Sequence, residues 1–133
     1  MDSAAPPDIS GSIKPICILD DDFSVLNSLR ELLDSDGFEA RTFDNPDRFL
    51  AYAQAHPVKL AVLDVWMPEM TGIDVQERLH ELSPGTRVII ITAREEPAVR
   101  TAAMEAGAFA FPGKPFDDEM FLALVRKAVS EPP

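Results

Sequence analysis

Three carboxylates stand in one run, Asp20-Asp21-Asp22, directly behind the apolar stretch Ile16-Cys17-Ile18-Leu19. A fourth, Asp64, closes a second apolar stretch, Leu60-Ala61-Val62-Leu63. Thr92 follows a third, Val88 to Ile91, and Lys114 follows Gly113 beyond a weaker one at residues 108–111. Carboxylates packed together repel, and each raises the pKa of its neighbours unless a cation is present. A hard divalent ion with oxygen ligands removes that conflict, and Mg2+ in particular takes one or two carboxylates, keeps several waters and accepts phosphate oxygens. In such a site one carboxylate can attack a phosphoryl group, while the metal, an ammonium and a hydroxyl share the transferring oxygens. Asp64, Lys114 and Thr92 supply those three residue types, and Asp20 and Asp21 supply metal ligands.

The chemistry requires one fold to bring these positions together, and the pattern around them does so. The stretches Pro15–Leu19, Leu60–Leu63 and Val88–Ile91 read as buried parallel strands, with Glu39–Phe43 and Ala108–Phe111 as weaker candidates. Helical patterns lie between them. Leu26, Leu29 and Leu33 share a face behind an Asp22 N-cap. A second helix starts near Asn45-Pro46, with Pro at the first helical position. A third follows Thr71-Gly72-Ile73-Asp74, a variant capping box, with Val75, Leu79 and Leu82 as its apolar face. The fourth, from Glu96-Pro97 to Gly107, has a face made mostly of Ala and should pack weakly. The fifth, from Asp117, buries Phe121, Leu124, Val125 and Ala128, and Arg126 and Lys127 suit its C-terminal dipole. Five β-α units predict an α/β fold: a flavodoxin-like, doubly wound parallel sheet of five strands in the order 2-1-3-4-5. Ligands of such sheets bind at the carboxyl ends of the strands, which is where Asp20, Asp64, Thr92 and Lys114 fall.

The bulk properties narrow the partners. Net charge is −11, which argues against this segment gripping nucleic acid or an anionic membrane, since both need a basic footprint. Cys17 is the only cysteine, so no internal disulfide can form. The sequence has neither an 18-residue apolar stretch nor a signal-peptide pattern, so the cytoplasm is the expected location. Residues 1–12 are small, polar and Pro-containing and read as a disordered tail, leaving one domain over 13–131.

The segments Asp20-Asp21-Asp22, Asp64-Val65-Trp66-Met67-Pro68-Glu69-Met70-Thr71-Gly72, Thr92-Ala93, Glu105-Ala106-Gly107-Ala108 and Lys114-Pro115-Phe116, in this order and at these spacings, resemble the receiver domain of two-component response regulators. The resemblance covers about residues 14–130. The details of residues 114–119 are similar to receivers that precede LuxR-type DNA-binding domains. The resemblance implies that Asp64 is the phosphoacceptor. It implies Mg2+, with Mn2+ as a substitute, bound by Asp21, Asp64 and the backbone carbonyl of Trp66, with Asp20 acting largely through water. It implies that Thr92 and Lys114 contact the phosphoryl group, and that Phe111 takes the place of the rotameric switch aromatic. The implied donor is the phosphohistidine of a sensor histidine kinase or a phosphotransfer protein. The implied output face is helix 4, strand 5 and helix 5, which could also carry a homodimer.

Two rival functions belong to other classes. An aspartyl-phosphate phosphohydrolase usually shows a second Asp two residues after the nucleophile, and Trp66 stands there instead. A phosphorylation-independent interaction module of the same fold has no need of the full set of site residues. By itself a Phe at 111 also suits a strand core, with Phe109 two residues away on the same face if the strand forms. The Trp66 side chain is expected to cover the phosphoryl site and to slow hydrolysis, with Arg94 facing the same approach.

Overall fold

In a computed structural model, residues 14–114 and 116–130 are described. The expected tail at 1–12 and Pro115 of the Lys-Pro segment lie outside these residues. The strands are β1 (Ile16–Leu19), β2 (Ala40–Phe43), β3 (Leu60–Asp64) and β4 (Arg87–Ile91). The helices are α1 (Phe23–Ser35), α2 (Pro46–Ala55), α3 (Gly72–Leu82), α4 (Pro97–Glu105) and α5 (Asp118–Ser130). All strand pairs are parallel, in the order β2-β1-β3-β4. Ile18 lies beside Thr42 and Val62, and Val62 lies beside Ile89, so the carboxyl ends of β1, β3 and β4 come level.

Alternation along the strands divides the core in two. Cys17, Leu19, Ala61, Leu63, Val88 and Ile90 point toward α2, α3 and α4 and pack with Phe49, Val75, Leu79 and Ala103. Ile16, Ile18, Leu60, Val62, Ile89 and Ile91 point toward α1 and α5 and pack with Leu26, Leu33, Phe121 and Val125. Burial of Cys17 in the central strands pushes its thiol up to about 12, against the nearby Arg41 charge that lowers it.

The first three helix starts are capped as expected. The Asp22 carboxylate accepts from the Ser24 N–H at 2.9 Å, and Asn45 accepts from the Arg48 N–H at 3.1 Å. Thr71 and Asp74 form the reciprocal capping box, at 3.2 and 3.3 Å. α5 begins one residue later than expected, with Asp117 accepting from the Met120 N–H at 3.0 Å. On α5 the buried set is Phe121, Leu122, Val125 and Ala128, and Leu124 is only half-buried. Leu82, expected on the apolar face of α3, is exposed at the last turn.

The fifth strand is not seen among the described residues, which corrects the expected five-stranded order. Residues 108–113 run beside β4 and make isolated bridges only, Ile89 with Ala110 and Thr92 with Gly113. Pro112 lies between these bridges and has no N–H to donate, so the ladder is interrupted there. Without a continuous pleat the alternation also fails. Phe111 packs in the α2–α4 half of the core, whereas Phe109 packs against the α1–α5 half, so the two do not share a face.

Candidate functional site

The level strand ends deliver the acids. Asp20 follows β1 and is held by its own N–H, which donates to the Phe43 carbonyl at 3.2 Å. Its Oδ1 accepts from the Asp22 N–H at 2.9 Å. Asp64 is the last residue of β3, and the next N–H, of Val65, donates to the Ile91 carbonyl at 3.1 Å. Asp20 and Asp64 are almost wholly buried, whereas Asp21 is exposed at the rim. Oxygen atoms of Asp20, Asp21 and Asp64 lie within 4.8 Å of one another. An all-oxygen donor set of this size suits a hard divalent cation and fits Mg2+.

Lys114 reaches the same point from the segment after residue 113. Its ammonium donates to Asp20 Oδ2 at 2.9 Å and to Asp64 Oδ1 at 3.2 Å. Its backbone N–H donates to the Thr92 carbonyl at 2.6 Å, which fixes that segment to the end of β4. Burial lowers the Lys114 pKa, but the hydrogen bond and charge of Asp20, followed by those of Asp64, outweigh it and leave the amine above its ordinary value. Asp64 moves to about 6, first because it is buried and then because Asp20 is anionic beside it, with Lys114 opposing both. The nucleophile candidate is thus the strained member of the cluster.

Thr92 is buried, and its hydroxyl serves its own loop. It donates to the Arg94 carbonyl at 2.8 Å and accepts from the Arg94 N–H at 3.1 Å. Trp66 is half-buried, with the Arg94 guanidinium 4.5 Å from its ring centroid. Phe111 is buried rather than outward, and Arg100 of α4 lies 4.8 Å from its ring centroid and donates to its carbonyl at 3.1 Å.

Two contributors were not singled out in the sequence. Gly72 starts α3 directly against the Asp64 backbone, and any Cβ there would overlap the Asp64 carbonyl. In the sequence Gly72 shows only as the end of the segment 64–72 and as part of a Thr-Gly pair that reads first as capping. Arg100 carries no sequence signal, because its partners are a ring and a carbonyl that only the fold brings near. On the α1 side of Lys114 lies a cavity of about 560 Å³ lined by Ser24, Val25, Leu29, Lys114 and Phe116.

With this geometry in place, the comparisons with known proteins are specific. The response regulator receiver domain family matches residues 16–126. The response regulator protein TodT of Pseudomonas putida is 37% identical over 118 residues, which span 89% of this chain and 52% of TodT. The chain thus spans about half the length of these curated relatives. Among solved structures, a CheY-like receiver domain protein from Methanospirillum hungatei superposes with a TM-score of 0.85 at 29% identity, covering 89% of this chain and 94% of that one. The beryllofluoride-activated receiver domain dimer of NtrC4 superposes with a TM-score of 0.83 at 30% identity, covering 86% and 95%.

Proposed function

The chain belongs to the response regulator receiver family, and from that premise we propose that it accepts a phosphoryl group on Asp64 from the phosphohistidine of a sensor histidine kinase or a phosphotransfer protein. One observation carries this reading. A single ammonium, that of Lys114, bridges the buried carboxylates of Asp20 and Asp64, with a third carboxylate, Asp21, within 4.8 Å.

Lys114 engages Asp64 Oδ1, which leaves Oδ2 to attack. The Oδ2–P bond forms, the histidine N–P bond breaks, and the imidazole nitrogen keeps the electron pair. Asp20, Asp21, Asp64 and the backbone carbonyl of Trp66 would hold Mg2+ or Mn2+, which when bound neutralises charge on the phosphoryl oxygens. Lys114 then exchanges its hold on Asp64 for a phosphoryl oxygen, and Thr92 donates its hydroxyl to another. The second exchange has a cost visible in this chain, because the hydroxyl must give up the Arg94 carbonyl it now serves. That links acceptance at Asp64 to loop 93–96 and to α4 beyond it.

The domain is read as spanning 13–131 after a tail at 1–12, acting on itself rather than turning over a substrate. Its output face is α4, the 108–113 segment and α5, whose burial of Phe111 is the switch position. A homodimer through that face belongs to the same reading, and the NtrC4 receiver, a dimer when activated by beryllofluoride, supports dimer formation as such. The setting is read as cytoplasmic, and among the described residues no helix is long and apolar enough to cross a membrane. The phosphohydrolase reading gains nothing from Trp66, which brings no acid to the place where that reaction needs one.

The test is a small acyl-phosphate donor with Mg2+ and intact-mass spectrometry. One phosphoryl group should appear on the native chain and none on Asp64→Asn. Equal labelling of both proteins would remove Asp64 from the role.

A further inference from the structure

Outside the site, Gln76 is the only buried polar side chain among the described residues. It projects from α3 toward α4, and its Nε2 donates to the Ala103 carbonyl at 3.2 Å. Ala103 is the one buried residue of α4. Its carbonyl already accepts the Ala108 N–H at 3.0 Å, so it does not depend on Gln76. Gln76 Oε1, by contrast, is closed off from solvent with no protein donor in reach. Turning the amide over gives no relief, because Oε1 would then face another acceptor. A buried acceptor left unmatched costs more than a redundant bond returns. The contact therefore holds α4 in register while opposing its closest approach. A cavity of about 270 Å³ lined by Gln76, His80, Thr86 and Gly107 adjoins it, so a small outward movement of α4 would open Oε1 to solvent.

We propose that Gln76 is a positioning residue that sets how readily α4 leaves the α3 face when the site is loaded. The inference rests on the phosphoacceptor reading and adds to it the residue that tunes the response. Loop 93–96 pulls on α4 at its start when Thr92 changes partner, and Gln76 determines the resistance at the buried turn. Because a ligand shifts a conformational equilibrium only by its differential affinity for the two states, a change in that resistance must appear in the affinity for the loading ligand.

The test uses this domain with two variants, Gln76→Leu and Gln76→Glu, and beryllofluoride with Mg2+ as the probe. Leu keeps the volume and removes the unmatched acceptor. Glu sets an anionic acceptor against the Ala103 carbonyl. Hydrogen exchange across α4 without ligand should slow in Gln76→Leu and quicken in Gln76→Glu. Beryllofluoride should bind about tenfold more weakly to the first and more tightly to the second, within the usual range of coupling between sites. A residue that merely packs would alter the melting temperature of both variants with no opposed shift in affinity. Unchanged α4 exchange in both, or affinity shifts of the same sign, would overturn the proposal. Failure of the native chain to bind beryllofluoride would count against the phosphoacceptor reading instead, and the ligand-free exchange would still judge Gln76.

Discussion

The last two helices, α4 and α5, pack on opposite faces of the sheet and are attached in different ways. α5 buries Phe121, Leu122, Val125 and Ala128, and Phe116 stacks on Phe121 with ring centroids 5.1 Å apart. Each large side chain of this kind contributes about 1.5–3 kcal/mol on burial. α4 buries Ala103 alone, and no side chain caps its first turn. What holds α4 instead is polar and directional: Arg100 on Glu95 and on the Phe111 carbonyl, and Gln76 on the Ala103 carbonyl. Contact by area resists movement in every direction, whereas a few hydrogen bonds can be exchanged for others at little net change. The helix that follows Thr92 is therefore the one able to move while the rest of the domain stays packed.

The comparison is broken most directly by truncation. Phe121→Ala on α5 should lower the unfolding free energy by about 3–5 kcal/mol, whereas Met104→Ala on the exposed side of α4 should change it by less than about 0.5 kcal/mol. Denaturant titration of both variants measures this, and equal losses would erase the distinction. A smaller effect comes from the acids at the strand ends. Asp64 has a folded pKa of about 6 against an ordinary 3.8, so the folded state holds the proton more tightly than the unfolded chain. That contribution to stability is present below about pH 4 and is lost as pH rises through about 6. The loss is on the order of 3 kcal/mol for a shift of this size. In metal-free buffer Asp64→Asn should be the more stable protein at pH 7, with a flatter profile between pH 4 and 7. Parallel profiles for the two proteins would contradict the strain assigned to Asp64. The smallest effect is kinetic. The Arg94–Trp66 contact has the geometry of a cation–π pair worth about 0.5–1 kcal/mol at an exposed site, so Trp66→Ala should hasten decay of the phosphorylated protein by roughly two- to fivefold if the pair screens the acyl phosphate from water. Unchanged decay would place control of the rate elsewhere.

Much of this was legible in the sequence where local chemistry and long-range order agree. Apolar runs ending in Asp20, Asp64 and Thr92 specified both the strands and the polar groups at their ends, and Asp22, Asn45 and the Thr71–Asp74 box marked helix starts. The failures share a cause, which is that the deciding contact is distant in sequence. Residues 108–113 have strand composition, but Pro112 breaks the ladder with β4, and the pairing rather than the propensity decides. Phe109 and Phe111 were expected on one face only because a strand was expected. Gln76 stands between Val75 and Glu77 in α3, and its residue type gives no sign that α4 is laid over it. Thr92 was expected to offer its hydroxyl to the site, and its engagement with Arg94 is a property of the loop conformation that residue type does not encode.

Cys17 gives the molecule an internal timer. It lies at the middle of β1, between β2 and β3, with no solvent exposure and a thiol pushed up to about 12. An alkylating reagent needs the thiolate and a path to it, and movements of α4 provide neither, since β1 is packed chiefly against α1, α2 and its two neighbouring strands. Modification of this single sulfur therefore counts global openings of the sheet and is silent to the local ones by which the domain would signal.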